Sequence, residues 1–165
     1  MRIMRIFLAG CVLAVGSCAS VGSQPNNLVA AALSNPARSD ADRERDARDH
    51  PQEILTLAAF EPGMTVADIF GGGGYYSEII AGIVGPTGKV LLINNPPYDG
   101  FAKKGLATRL VGNRLPNVKY EVLPPNAMNL GKASLDGALI VMSYHDLYVS
   151  DAAGDAAPPD SEDVH

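Results

Sequence analysis

The chain has 165 residues, 47% of them hydrophobic, and a formal net charge of −5. Once an export signal is removed, this length supports one hydrophobic core rather than two, and the amounts of Gly and Pro fit an ordinary α/β domain, neither disordered nor disulfide-stapled. Lys and Arg are scattered, whereas Asp151, Asp155, Asp160, Glu162 and Asp163 crowd the C-terminal end; the negative charge therefore belongs mainly to a tail, and the basic footprint that would dock nucleic acid is missing.

Arg2 and Arg5 precede an apolar run from Ile6 to Val15 that is too short to span a bilayer, so residues 1–17 read as an export signal. The run ends in Val15-Gly16-Ser17-Cys18, which resembles the lipobox of bacterial lipoproteins and makes Cys18 the expected lipidation site. An ordinary cleaved signal, with Ser17 and Ala19 as the small pair, is the alternative. Either way export is expected, to the periplasm or, through an N-terminal lipid anchor in the membrane, to an outer-membrane lipoprotein facing the periplasm. Both cysteines lie in this signal region, so the body has no thiol for catalysis or zinc. Residues 18–38, rich in Ser, Asn and Pro with a short helix over 28–33, read as a tether.

The domain is expected over residues 39–148. Ser39 to His50 interleaves opposite charges behind a candidate N-cap, Ser39, as on a solvated outer helix. Pro51 suits the first position of the next helix, PQEILTLAAF. Met64 to Phe70 reads as a short buried strand, Gly71 to Gly74 as a turn that can approach a ligand closely, and Tyr75 to Val84 as a helix whose N-terminal amides face that turn. A second unit follows, with a strand over Lys89 to Asn94 and a helix over Phe101 to Val111, and then strands over Asn117 to Leu123 and Leu135 to Ser143. This alternation implies a parallel sheet. Residues 149–165 lack apolar periodicity and read as an acidic disordered tail.

A strand ending in Asp68, then a glycine run and a helix, is similar to the first motif of class I S-adenosylmethionine-dependent methyltransferases. The wider stretch EPGMTVADIFGGGGYYSEIIAGIVGPTGKV, with RDARDHPQEIL before it and SYHDLY after the last strand, resembles a group of predicted methyltransferases in which an aromatic replaces the usual first glycine. The resemblance implies a Rossmann-like methyltransferase fold, a three-layer α/β sandwich of parallel strands. It is incomplete here, with about four strands where the family has seven. A dinucleotide fingerprint is disfavoured because Ser77 stands where its third glycine belongs, and a P-loop because no Lys-Ser or Lys-Thr follows the glycines.

The same resemblance implies S-adenosylmethionine as cofactor. Gly72, Gly73 and Gly74 would pass beneath its methionine and ribose parts, and Asp68 would orient it or else cap the glycine turn. Asn94 replaces the acidic residue that usually receives the ribose hydroxyls, and Asn126 stands where a polar contact to adenine is often found. His145 and Asp146 follow the last strand at the carboxyl edge of the sheet, where substrate is expected. An imidazole suits proton removal near neutral pH, so His145 is the candidate base and Asp146 a substrate neighbour. On an extended segment the two would point opposite ways and form no dyad. Tyr75 and Tyr76 are candidate walls for a small-molecule substrate. The three histidines lack metal-ligand spacing, so no metal is expected. Two functions follow: methyl transfer to a small-molecule or envelope acceptor, or a non-catalytic, lipid-tethered remnant of the fold that binds or supports.

Overall fold

The computed structural model describes residues 25–148. The stretch read as an export signal, Cys18, and the residues read as an acidic tail lie outside the described residues. Within them are five α-helices and four strands, with strand and helix alternating between residues 65 and 122.

Helix α1, Pro25–Leu33, falls inside the stretch read as a tether. Its Leu28, Val29, Ala32 and Leu33 recur at helical spacing and join the main apolar cluster, which outweighs the polar composition around them. Helix α2, Asp40–Asp49, is capped as expected, with the Ser39 hydroxyl accepting from the Asp42 amide at 3.1 Å. It is not simply a solvated helix. Its acidic side chains dock through long-range pairs: Asp46 takes both guanidinium nitrogens of Arg38 at 2.7 Å, and Asp42 takes Arg109 at 2.9 and 3.1 Å. His50, in the left-handed region at φ 47°, turns the chain into α3, Pro51–Ala58, which has Pro at its first turn.

The sheet consists of β1 (Thr65–Ile69), β2 (Lys89–Asn94), β3 (Val118–Val122) and β4 (Gly137–Leu139), all parallel, in the order β3-β2-β1-β4. Val66 and Val90 contribute to the main core with helix α4, Tyr75–Val84, whose Ile79, Ile80 and Val84 are fully buried. Helix α1 approaches α4 closely because position 82 is glycine: a Cβ there would lie 3.0 Å from that of Ala32. Helix α5, Pro96–Arg109, packs Ala102 and Leu106 against Leu92. It starts earlier than Phe101 because Pro96 is tolerated in the first turn and the Asn95 side chain caps it, accepting from the Tyr98 amide at 2.9 Å. Strand β4 is shorter than the run 135–143, since β1 leaves the ladder just beyond the Asp68–Leu139 pair.

Helices α2, α4 and α5 are joined by charge. Glu78 on α4 is 5% exposed and accepts from both Arg109 and Arg114, the latter at 2.6 and 2.9 Å. Arg109 also donates its Nε to the Gly73 carbonyl at 2.6 Å, which ties this network to the glycine turn.

Candidate functional site

The turn after β1 places alternate residues in the left-handed region, Phe70 at φ 55°, Gly72 at 57° and Gly74 at 78°. Glycine takes this conformation freely, whereas Phe70 bears about 1–2 kcal/mol of strain. Two contacts hold it there: its amide donates to the Ile93 carbonyl at 2.6 Å, and its ring lies 5.3 Å from that of Tyr98. A Cβ on Gly71 would collide with the Asp68 carboxylate and the Leu92 side chain, while one on Gly72 or Gly73 would meet nothing within 4 Å. Gly72 and Gly73 thus form part of the floor of a cavity of about 780 Å³ at the carboxyl end of β1, with Val141 and Met142 beyond β4 also in its wall.

Asp68 also lines the cavity though only 2% exposed, and accepts from the Ser77 hydroxyl at 2.6 Å. Burial pushes its carboxyl up to about 6, against the opposing pull of the Ser77 hydrogen bonds. Tyr75 and Tyr76 wall the cavity, with their hydroxyls tied back to α2, to the Asp46 carboxylate at 2.6 Å and the Asp49 carbonyl at 3.4 Å.

Three expected cofactor contacts lie elsewhere. Asn94 is 0% exposed, and its amide is committed to the loop: Oδ1 accepts from the Gly72 amide at 2.8 Å and Nδ2 donates to the Gly72 carbonyl at 3.0 Å. It shapes the floor and does not line the cavity. Gly74 caps α4 and faces Arg109 and Leu92, whereas Gly71, left out of the expected set, does line the cavity. Asn126 is exposed on the 3-10 turn Pro125–Ala127, away from the cavity lining.

His145 is 74% exposed and does not line the cavity either. It does pair with its neighbour, contrary to the extended geometry expected for this segment, because Tyr144–Tyr148 is a 3-10 turn. His145 Nε2 comes within 3.2 Å of Asp146 Oδ1.

The cavity also takes residues that sequence reasoning missed. Arg45, Arg48 and Asp49 reach it from α2, and Arg45 stacks 4.0 Å above the Tyr75 ring. Arg45 and Arg48 both pair with Asp49. Tyr98 and Phe101 reach it from α5, one helical step apart, a spacing that was visible but lay in a segment opening with two prolines.

No family model matches the sequence, and no curated protein matches it. Among solved structures the chain is similar to an S-adenosylmethionine-dependent methyltransferase from Aquifex aeolicus, with TM-score 0.51 and 23% identity over 68% of this chain. It spans 62% of that protein's length. A protein-L-isoaspartate O-methyltransferase aligns at TM-score 0.35 and 22% identity over 44% of this chain and 22% of its own. With four parallel strands in the order 3-2-1-4 and five helices, the described chain has the Rossmann-like fold of S-adenosylmethionine-dependent methyltransferases.

Proposed function

We propose that the chain is an S-adenosylmethionine-dependent methyltransferase acting on a small-molecule or envelope acceptor. The observation that carries this reading is the open floor at Gly72 and Gly73, where side chains would enter the cavity that their absence leaves at the carboxyl end of β1. That cradle fits the methionine part of the cofactor. Bound there, S-adenosylmethionine supplies a methyl group activated by its sulfonium. The chain's own part is to hold and orient: the Gly71–Gly73 backbone beneath the cofactor, Asn94 fixing that backbone, Asp68 steadying the turn through Ser77, and Tyr75 and Tyr76 closing one wall. His145, outside the cavity lining at the same edge of the sheet, is the candidate for removing the acceptor's proton, with Asp146 beside it as a substrate neighbour.

Isothermal titration with S-adenosylmethionine and with its demethylated product tests this reading. Both should bind the wild-type chain, and Gly73→Val, whose side chain enters the cavity, should abolish binding with the fold intact by circular dichroism. A folded, monodisperse sample that binds neither ligand at millimolar concentration leaves the second reading, a non-catalytic module. That alternative draws on Asn94, which brings no charge to the end of β2 and has its amide occupied by Gly72.

A further inference from the structure

The six arginines of the described residues divide by how they use their guanidinium groups. Arg38, Arg43, Arg109 and Arg114 each spend both terminal nitrogens on carboxylates or backbone carbonyls of the chain itself. Arg45 and Arg48 do not. Each donates only its Nε, in both cases to Asp49, so their terminal nitrogens have no hydrogen-bond acceptor among the described residues. These same two are the arginines that line the cavity.

Helix α2 sets the pair. Positions three apart on a helix share a face, and Asp49 follows them, its Oδ2 accepting from Arg45 and its Oδ1 from Arg48 at 2.9 Å. Arg45 is held a second time by the Tyr75 ring, whose centroid lies 4.0 Å from its guanidinium carbon. Two cations share one carboxylate, so positive charge is left over on this wall of the cavity. The side chains are 40% and 75% exposed, open to a ligand and partly screened by water. A planar guanidinium with both terminal nitrogens to spare matches the two oxygens of a carboxylate.

We propose that Arg45 and Arg48 clamp the carboxylate of the cofactor's methionine part, with Asp49 as the residue that positions both. This deepens the methyltransferase reading and rests on it. That reading lays the methionine part over Gly72 and Gly73, and the two arginines stand in the wall of the same cavity. Of the cofactor's groups, the sulfonium and the amino group are cationic and the nucleoside is neutral. The carboxylate is the group that a guanidinium attracts, so the pair fixes which way round the methionine part lies.

Isothermal titration of the full chain with two ligands tests this. One is the demethylated cofactor product, which keeps the carboxylate; the other is methylthioadenosine, which keeps the nucleoside and the thioether without the amino-acid end. Replacing both residues, Arg45→Gln with Arg48→Gln, should weaken product binding about tenfold and leave methylthioadenosine within about twofold, as expected for charge-assisted bonds in a partly exposed site. The amino group that methylthioadenosine also lacks does not blur the comparison, because a guanidinium has no acceptor to offer it. Added salt should weaken the product more in wild type than in the double variant. Arg48→Gln alone, at the more exposed position, should weaken the product about threefold, and it carries the test if the double variant does not fold. Equal losses for both ligands would make the arginines part of the wall and no more, and an unchanged product affinity would put the carboxylate elsewhere; either result overturns the inference. The two readings stay apart: ligands that bind without this difference remove the clamp alone, whereas a folded wild type that binds neither removes the methyltransferase reading and the clamp with it.

Discussion

Two buried carboxylates ten positions apart in the chain meet opposite surroundings. Asp68, beside the glycine floor, has a hydroxyl for a partner and no bonded cation, and its carboxyl is pushed up to about 6. Glu78, one helical turn into α4, lies between two guanidinium groups. Burial acts on Asp42 in the same network too, pushing it up, but the hydrogen bonds and charge of Arg109, with Ser39, more than reverse this and hold it below the usual carboxylate range. The difference separates two uses of acidity in one small fold. Around Glu78, charge joins helices; around Asp68, a carboxyl near the cavity is left where it holds a proton more easily.

Removing the network's centre should have the largest effect. Glu78→Ala takes from Arg114 its carboxylate partner and leaves Arg109 with Asp42 and the Gly73 carbonyl, and breaking a buried pair from one side costs about 3–5 kcal/mol. Urea unfolding would read this as a lower midpoint, and an unchanged midpoint would mean that the pairs do not hold the helices.

Asp68 should give a smaller change of a different kind. Its pKa is raised on folding from 3.8 to about 6, so between those values the folded state binds more protons than the unfolded one. Stability therefore falls as pH rises from about 4 to 6 and levels above, a swing of up to ~3 kcal/mol. The carboxylates with lowered values, Asp42, Asp46 and Asp49, act in a separate window: their contribution is complete above the ordinary carboxylate pKa and is lost on acidification below it. Asp68→Asn should flatten the stability profile between pH 4 and 6 and leave the acid limb in place. A slope that survives in the variant would assign it to another group.

Asn94 offers a neutral control within the same few residues. Asn94→Ala leaves the Gly72 amide and carbonyl without their partner, at about 1–3 kcal/mol, with no added pH dependence. Calorimetric unfolding at two pH values would check both parts, and a pH-dependent loss would show that Asn94 is coupled to Asp68.

Legibility in the sequence followed locality. Strand β2 lies where it was expected, Lys89 to Asn94, because Gly88 and Asn95 bound a run of apolar residues. Helix α4 also matches, since the glycine turn before it and Gly85 after it punctuate the chain. Asp68 and the floor at Gly72 and Gly73 were legible for the same reason. Helix α2 and its Ser39 cap were legible too, but its docking was not, because Arg38 and Arg109, which pair with Asp46 and Asp42, are single charges that leave no periodic trace. Asn94 was assigned a ligand contact because its position recommended it, but the nearest unsatisfied backbone was Gly72. His145 and Asp146 were set apart on the assumption of extended chain, and one turn of 3-10 helix brings them together.

Arg109 joins the Gly73 carbonyl, Asp42 and Glu78 through one guanidinium. A single side chain at the end of α5 thus records the positions of the turn, α2 and α4 at once. In sequence change over time, drift at any of these sites is felt at the others, so substitutions at positions 42, 78 and 109 should be accepted together or not at all. The glycine turn inherits that constraint although Gly73 contributes only a carbonyl: its shape is guarded by residues outside the cavity lining.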